Sequence, residues 1–227
     1  MTGLTDTGLR PRAYDLIVFD WDGTLYDSTA LIVGCIQAAC TDLGLAEPSR
    51  TDAAYVIGLG LHDALAHVAP GLPPERVPEL GQRYRHHYFK RQHELSLFQG
   101  TIDLLHALKA RNHWLAVATG KSRAGLNEAL AHVELKGMFD ATRTADETAS
   151  KPHPLMLHEL ISTFGVAPER TLMVGDTTHD LQLARNAGTH CVAVSYGAHE
   201  PTSFHHYEPR CIAHSMAELH AWLTQHA

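Results

Sequence analysis

Hydrophobic residues along this chain occur in two patterns: short continuous runs, and longer segments with helical spacing. The first run is Leu16–Phe19, and a turn follows it at Gly23. Continuous apolar runs that end in turns are typical of strands buried on both faces of a parallel sheet. We predict further strands at residues 114–118, 141–144, 171–175 and 190–194. Segments with helical spacing separate or follow them, at residues 101–111, 123–132, 154–164, 178–187 and 215–225.

The segment between the first two predicted strands has a different character. Residues 29–43 carry apolar side chains at helical spacing, and further helices are predicted at 51–57, 62–68 and 75–93. Elsewhere strands alternate with helices, which predicts an α/β core, a Rossmann-like parallel sheet with helices on both faces. We therefore expect an all-helical cap domain, residues 28–97, inserted into a core domain of residues 1–27 and 98–227. Residues 1–13 are polar and are predicted to form a loose tail.

Composition argues against several kinds of partner. The formal net charge is −7, and no apolar stretch is long enough to span a bilayer. We expect no nucleic acid and no membrane as partners, because both present anionic surfaces. Four dispersed cysteines indicate no disulfide framework, and residues 1–13 lack the apolar core of a secretion signal. We expect a cytoplasmic protein that is a monomer or a homodimer.

Two carboxylates follow the first predicted strand. Asp20 ends the apolar run, Asp22 comes two residues later, and Gly23 then allows the backbone to turn. Acidic groups at the end of a buried strand are costly to desolvate unless something compensates their charge. The crevice beyond the strand ends is also where open α/β sheets bind ligands. We interpret Asp20 and Asp22 as active-site residues; the alternative is the Asp-Gly turn of a hairpin.

Polar residues also follow the later strands. Thr119 and Gly120 come at the end of the second strand, where a hydroxyl and free backbone amides can hold phosphate oxygens. Asp176 follows the fourth strand, and Asp180 lies about one helical turn further on. Lys151 lies in a loop whose prolines restrict the backbone. The alternatives are an ordinary helix entry for Thr119, a helix N-cap for Asp176 and a solvated side chain for Lys151.

These residues resemble, in order, the four motifs of one enzyme superfamily. Asp20-Trp21-Asp22-Gly23-Thr24-Leu25 resembles the D-x-D-G-T-L motif of haloacid dehalogenase-like hydrolases. The second, third and fourth motifs are resembled by Thr119-Gly120, Lys151-Pro152-His153-Pro154 and Gly175-Asp176-Thr177-Thr178-His179-Asp180. The resemblance extends from about Tyr14 to the last predicted helix. The inserted helices are similar to the small cap of phosphoglycolate phosphatase-like members.

The resemblance implies a catalytic role for the acidic residues. Asp20 is expected to attack phosphorus as the nucleophile, and Asp22 to act as the general acid and base. Both the attacking carboxylate and the substrate are anionic, so the reaction needs a cation such as Mg²⁺. The implied Mg²⁺ ligands are Asp20, the backbone carbonyl of Asp22, and Asp176. Asp180 is implied as a further ligand or as a partner of one.

The same resemblance implies how the substrate is held and which reaction follows. Thr119, Gly120 and Lys151 are expected to bind the phosphoryl group, to which the lysine brings a compact positive charge. Dehalogenases and phosphonate-cleaving members lack the carboxylate found here at Asp22. We therefore expect a Mg²⁺-dependent phosphatase acting on a small phosphorylated metabolite, phosphoglycolate-like or a sugar phosphate. The alternatives are a sugar phosphomutase of the β-phosphoglucomutase type and a non-catalytic protein that binds such a metabolite.

Three features outside the motifs leave alternatives open. The chain has 18 histidines, which raises the possibility of a metal carrier, although their spacing does not match a zinc site. The segment Gly58–His62 is either a loop over the phosphate site or a simple turn between helices. The basic and aromatic run Arg83–Arg91 either holds a second anionic group of the substrate or is a solvated helix face.

Overall fold

Six parallel strands form one sheet in this protein. The computed structural model describes residues 12–131 and 133–227. In chain order the strands are β1 (Leu16–Phe19), β2 (Trp114–Thr119), β3 (Ala141–Thr144), β4 (Thr171–Gly175), β5 (His190–Val194) and β6 (Ile212–Ala213). Their order across the sheet is β3-β2-β1-β4-β5-β6. The central strand β1 pairs with β2 on one side and β4 on the other, both in parallel.

Nine α-helices lie in the described part of the chain. They are α1 (Thr29–Asp42), α2 (Arg50–Tyr55), α3 (Leu61–Val68), α4 (Val77–Arg91), α5 (Thr101–Ala110), α6 (Arg123–Ala129), α7 (Leu155–Phe164), α8 (Thr178–Ala187) and α9 (Met216–His226). Short 3-10 helices occur at Pro74–Arg76, Gln92–Glu94, Val133–Leu135, Pro168–Arg170 and Pro201–Tyr207. Of the helices described, none combines the length and the apolar character needed to cross a membrane.

Helices cover both faces of the sheet. Ile17 and Phe19 face a hydrophobic cluster formed with α5, α6 and α9. Leu16 and Val18 face a second cluster formed with α7 and α8. Because successive side chains of a strand point to opposite faces, all four residues of β1 are buried, which explains its uninterrupted apolar run. The predicted Rossmann-like α/β architecture is confirmed.

The structure differs from the sequence-based prediction in three places. The prediction missed β6, whose two residues are too few to produce a recognisable apolar run. The helix predicted at 75–93 is α4, with a 3-10 turn at each end. The helix predicted at 123–132 ends at Ala129, and residue 132 lies outside the described residues. Residues 1–11 of the predicted tail also lie outside them.

The helices α1 to α4 follow β1 and pack against one another. Residues 28–96, all of which are described, contain no strand. The segment by which the chain enters this helical unit and the segment by which it leaves are hydrogen-bonded to each other. The Asp27 amide donates to the Ser96 carbonyl at 2.9 Å, and the Phe98 amide donates to the Leu25 carbonyl at 3.0 Å. We propose that this paired segment separates the cap domain, residues 28–97, from the core domain, residues 1–27 and 98–227.

Candidate active site

Three neighbouring strands bring the predicted site residues to one edge of the sheet. Phe19 is in register with Val117 of β2 and with Val174 of β4. The residues that follow these positions therefore meet at the carboxyl ends of the strands, where open α/β sheets bind ligands. The site is thus positioned by the register of β2, β1 and β4.

Lys151 lies between two carboxylates of this edge. Its Nζ is 2.8 Å from Asp20 Oδ1 and 2.6 Å from Asp180 Oδ1, and all three side chains are buried. Burial alone would lower the pKa of Lys151, but Asp180 and Asp20 outweigh that effect and raise it above the usual value. The lysine is therefore a fixed buried cation, and the alternative of a solvated loop side chain is wrong.

Three buried carboxylates converge beside this lysine. Asp20, Asp176 and Asp180 each offer an oxygen, and these oxygens lie within 4.8 Å of one another. Burial, followed by repulsion from Asp180, raises the pKa of Asp20 well above its usual range. The same two causes raise the pKa of Asp176 to about 7. One buried lysine is too little positive charge for three carboxylates, so the cluster favours a bound cation.

Within the described part of the chain, hydrogen bonds reach two of the three carboxylates but not Asp20. Asp176 accepts from the Thr24 hydroxyl and the Ala198 amide, both at 2.7 Å. Asp180 accepts from the Thr177 hydroxyl at 2.7 Å and from the Thr177 amide at 3.1 Å. Neither oxygen of Asp20 accepts a hydrogen bond of good geometry from the described residues, although Lys151 is within ion-pair distance. Hard carboxylate oxygens with an unpaired member suit Mg²⁺.

Glycines allow the chain to approach these carboxylates closely. A Cβ atom at Gly23, where φ is +81°, would lie 2.2 Å from Asp176 Oδ2, and one at Gly197 would be just as close. A Cβ atom at Gly175 would lie 2.3 Å from the Asp180 side chain. Gly23 and Gly175 belong to the sequence motifs, whereas Gly197 was missed because nothing near it in the sequence marks a site.

Asp22 faces a different set of partners. Its Oδ1 accepts from the Ser28 hydroxyl at 2.8 Å, and Lys121 Nζ is 3.1 Å from both of its oxygens. The Asp22 side chain is not a member of the three-carboxylate cluster. Lys121 also donates to the Tyr88 hydroxyl of α4 at 3.2 Å. Burial alone would lower the pKa of Lys121, but Asp22 contributes most to raising it above the usual value. The contacts of Lys121 and Ser28 with Asp22 were not predicted from the sequence.

Thr119 and Gly120 lie at the end of β2 and line the same cavity as Asp20 and Asp22. The Thr119 side chain is buried, and its Oγ1 accepts from the Lys121 amide at 3.1 Å. A Cβ atom at Gly120 would lie 2.3 Å from the Leu59 carbonyl oxygen, so the cap touches the core directly at this position.

The segment Gly58–His62 reaches over the site. A Cβ atom at Gly58, where φ is +93°, would lie 3.2 Å from Thr177 Oγ1 and 3.9 Å from Asp20 Oδ2. The Gly60 amide donates to the Ser150 hydroxyl at 2.8 Å. Of the two interpretations of this segment, the loop over the site is the one that the structure supports.

Two core histidines hold the cap beside this loop. Nε2 of His179 and Nε2 of His199 lie 2.7 and 2.9 Å from the Tyr55 carbonyl, and because a carbonyl only accepts, both rings donate. The ring of His199 stacks on Tyr55, and its Nδ1 accepts from the Thr178 amide at 3.1 Å. Burial lowers the pKa of His199 to about 4. Sequence reasoning missed both histidines, since their common partner lies more than a hundred residues away.

The other histidines give the metal-carrier alternative no support. Among the described residues, Asp20, Asp176 and Asp180 form the one group of three or more potential metal ligands. The run Arg83–Arg91 divides between the two interpretations offered for it. Its aromatic residues Tyr84, Tyr88 and Phe89 line the cavity between cap and core, together with Arg85. The remaining members do not line it.

Known proteins resemble this chain along most of its length. Residues 17–194 match the family model described as haloacid dehalogenase-like hydrolase. The chain is 34% identical over 209 residues to the probable phosphatase IndB of Dickeya dadantii, covering 90% of this chain and 91% of the relative. It is 32% identical to a phosphoglycolate phosphatase of Aliivibrio fischeri, covering 86% and 87%, respectively. It is also 32% identical to a 5′-nucleotidase of Pseudomonas aeruginosa, covering 88% and 94%.

A solved structure agrees with these relatives. A haloacid dehalogenase-like family hydrolase from Streptococcus pneumoniae superposes with a TM-score of 0.79 at 29% identity, covering 92% of this chain and 98% of that one. The region matched by the family model contains β1 from its second residue, all of β2 to β5, and every motif residue at the sheet edge. This protein belongs to the haloacid dehalogenase-like hydrolase family.

Proposed function

We propose that the chain is a Mg²⁺-dependent phosphatase that hydrolyses a small phosphorylated metabolite through an aspartyl-phosphate at Asp20. The observation that carries this proposal is the state of the Asp20 carboxylate. It is buried, accepts no hydrogen bond from the described residues, and borders a cavity that Asp22 also lines. Oδ1 of this carboxylate is ion-paired with Lys151, whereas Oδ2 has no partner among the described residues and is available to attack phosphorus.

The first step is the attack of an Asp20 oxygen on the phosphoryl group, which breaks the ester bond to the leaving alcohol. Lys151, held by Asp20 and Asp180, places a positive charge beside the attacking oxygen and the incoming phosphate. Asp20, Asp176 and the Asp22 carbonyl would hold Mg²⁺, with Asp180 as a partner beside these ligands, and the bound ion would neutralise negative charge of the reacting groups. The Thr119 hydroxyl and the Gly120 amide would hold phosphoryl oxygens.

Asp22 then serves both halves of the reaction. As an acid it protonates the leaving alkoxide; as a base it takes a proton from the water that hydrolyses the aspartyl-phosphate. Ser28, just before α1, donates to one of its oxygens, and Lys121, just after β2, contacts both. The carboxylate is therefore oriented before substrate enters. A protein that only binds a phosphometabolite has no need for this oriented second carboxylate, which disfavours the non-catalytic alternative.

Similarity to named relatives does not select the substrate. Two relatives at equal identity are named for phosphoglycolate and for 5′-nucleotides. We propose hydrolysis in preference to phosphomutase activity because the named relatives are phosphatases and a nucleotidase. A cytoplasmic location, a monomeric or homodimeric state, and the absence of nucleic-acid and membrane partners remain predictions from the sequence.

Phosphate release from a panel of phosphorylated metabolites, with Mg²⁺ and with a chelator, tests this function. We expect release of inorganic phosphate that the chelator abolishes and Mg²⁺ restores. Chromatography of the sugar phosphates in the same reactions detects isomers. Isomer formation without phosphate release would establish the phosphomutase instead, and release unaffected by the chelator would contradict the metal requirement.

A further inference from the structure

The cavity between cap and core is much larger than a phosphate group. Its volume is about 890 Å³, which is in the range of sites for drug-sized ligands. Beyond the residues at the strand ends, its cap wall includes six apolar or aromatic residues, Ile32, Ile36, Val56, Tyr84, Tyr88 and Phe89, beside the polar residues His62, Asp63, Arg85, Gln92 and His93. A substrate as short as a two-carbon acid phosphate would leave most of this wall uncovered.

The part of the chain that the structure describes offers the cavity no buried, unpaired cation for a second anionic group on the substrate. Three carboxylates outside the catalytic set, Asp63, Glu128 and Asp146, and two histidines, His62 and His93, line it, and all five are exposed. Lys121 lines it too, but its charge is paired with Asp22. Arg85 is exposed, and one of its nitrogens lies 3.6 Å from where a Cβ atom would stand at Gly81, one turn back on α4. No cation is therefore buried in the distal part of the cavity among the described residues.

The aromatic side chains give the cap wall flat surfaces. The rings of Tyr84 and Tyr88 are 6.0 Å apart at 30°, and those of Tyr88 and Phe89 are 6.3 Å apart at 78°. Phe89 is 53% exposed, so part of its ring is left uncovered by the protein. The Tyr84 hydroxyl makes no hydrogen bond with described residues, and burial raises its pKa, so it stays a donor for a neutral acceptor.

We propose that this wall binds an uncharged, ring-bearing leaving group, so that the substrates are phosphomonoesters of neutral alcohols that carry a planar ring. Either a nucleoside or an aryl-substituted alcohol supplies that chemistry, since both offer a flat face to the rings of α4. Phosphate esters of alcohols that carry a carboxylate, such as phosphoglycolate, and bisphosphates fit it poorly. The proposal rests on the phosphatase function and assigns the substrate class of the same site.

Relative kcat/KM values for matched esters test the proposal. With Mg²⁺ present, the substrates are 2-phenylethyl phosphate, ethyl phosphate, phosphoglycolate, and the 5′-monophosphates of adenosine and uridine. We expect ring-bearing esters to exceed both ethyl phosphate and phosphoglycolate by at least about tenfold, because each buried carbon contributes to discrimination. If the nucleoside monophosphates have the higher kcat/KM, the ring is a nucleobase; if 2-phenylethyl phosphate has the higher value, it is an aryl group. Phosphoglycolate equal to or above them overturns the proposal.

Variants and binding measurements keep the subsite separate from catalysis. Phe89→Ala is expected to reduce the ratio of kcat/KM between 2-phenylethyl and ethyl phosphate at least about threefold, whereas Lys90→Ala, its exposed neighbour on α4, is a matched control that leaves the ratio unchanged. An unchanged ratio in Phe89→Ala overturns the proposal. If no ester is hydrolysed, the proposed function fails. The affinities of 2-phenylethyl phosphate and ethyl phosphate for Asp20→Asn, measured by calorimetry, still test the subsite, because it predicts tighter binding of the ring-bearing ester.

Discussion

Lys121 Nζ lies 3.1 Å from each carboxylate oxygen of Asp22. The same ammonium donates to the hydroxyl of Tyr88 and lies 4.9 Å from the centre of its ring. Lys121 belongs to the core and Tyr88 to cap helix α4, so one side chain connects Asp22, the proposed general acid and base, to the cap. The orientation of Asp22 therefore depends on where the cap lies.

Replacing Lys121 tests this connection. In Lys121→Gln, Asp22 keeps only the Ser28 hydroxyl, so its orientation is less defined and kcat should fall by roughly tenfold or more. Lys121→Arg should retain more activity because it keeps the charge. The matched control is Lys109→Gln, which removes a surface ion pair with Asp140 far from the site and should leave kcat unchanged. Full activity in Lys121→Gln would show that the pair has no catalytic role.

The contact between cap loop and core predicts a sharp effect at Gly120. A Cβ atom in Gly120→Ala would lie 2.3 Å from the Leu59 carbonyl, so the loop must move away from the phosphate site. We expect kcat/KM to fall by at least about tenfold. Gly34→Ala on helix α1 is the control, since its Cβ has no atom within 4 Å and alanine favours a helix by about 1 kcal/mol. Steady-state kinetics distinguishes Gly120→Ala from the control, and thermal unfolding shows whether each variant is folded. A kcat/KM of Gly120→Ala equal to that of the wild type would contradict the loop position.

The carboxylate cluster predicts how pH and metal affect stability. Burial raises the pKa of Asp176 to about 7, against about 3.9 for an unfolded Asp, so the folded protein binds this proton more tightly. Its contribution to the free energy of unfolding is complete below about pH 4 and is lost as pH rises towards 7.

Without metal, Asp176→Asn should therefore gain stability relative to the wild type between pH 4 and pH 7. Mg²⁺ should stabilise the wild type but not the variant, because it replaces the proton as the partner of this carboxylate. Chemical unfolding at several pH values, with and without Mg²⁺, measures both effects. A difference between the two proteins that stays constant with pH would contradict the expected ionisation.

Residues next to one another in the sequence carried most of what could be predicted. Leu16–Phe19 indicated a buried strand because both of its faces are covered, and Asp20 followed directly from that strand end. Strand register alone then brought Thr119 and Asp176 to the same edge. The family resemblance supplied the roles, which local pattern cannot distinguish from helix capping.

Contacts between distant segments could not be predicted. Lys121 meets Tyr88 only when the cap lies on the core, and the Tyr55 carbonyl joins His179 and His199 for the same reason. The two-residue strand β6 forms by pairing with the free edge of β5, and its own sequence has no strand pattern. Each of these features depends on how separate elements pack against one another, and the hydrophobic periodicity of a segment does not determine which other segment it contacts.

The most direct measurement asks whether Asp20 carries phosphate during turnover. Wild-type protein with Mg²⁺ is mixed with p-nitrophenyl phosphate labelled on phosphorus, quenched in acid within milliseconds to seconds, and assayed for protein-bound label. Asp22→Asn serves as a comparison, because this leaving group needs no acid whereas hydrolysis of the aspartyl-phosphate needs a base. Circular dichroism confirms that each variant is folded.

We expect transient label on the wild type, persistent label on Asp22→Asn, and none on Asp20→Asn, whose turnover should fall by roughly 10³-fold or more. Protein-bound phosphate or retained Mg²⁺-dependent turnover in Asp20→Asn would contradict the proposed role of Asp20 as the nucleophile.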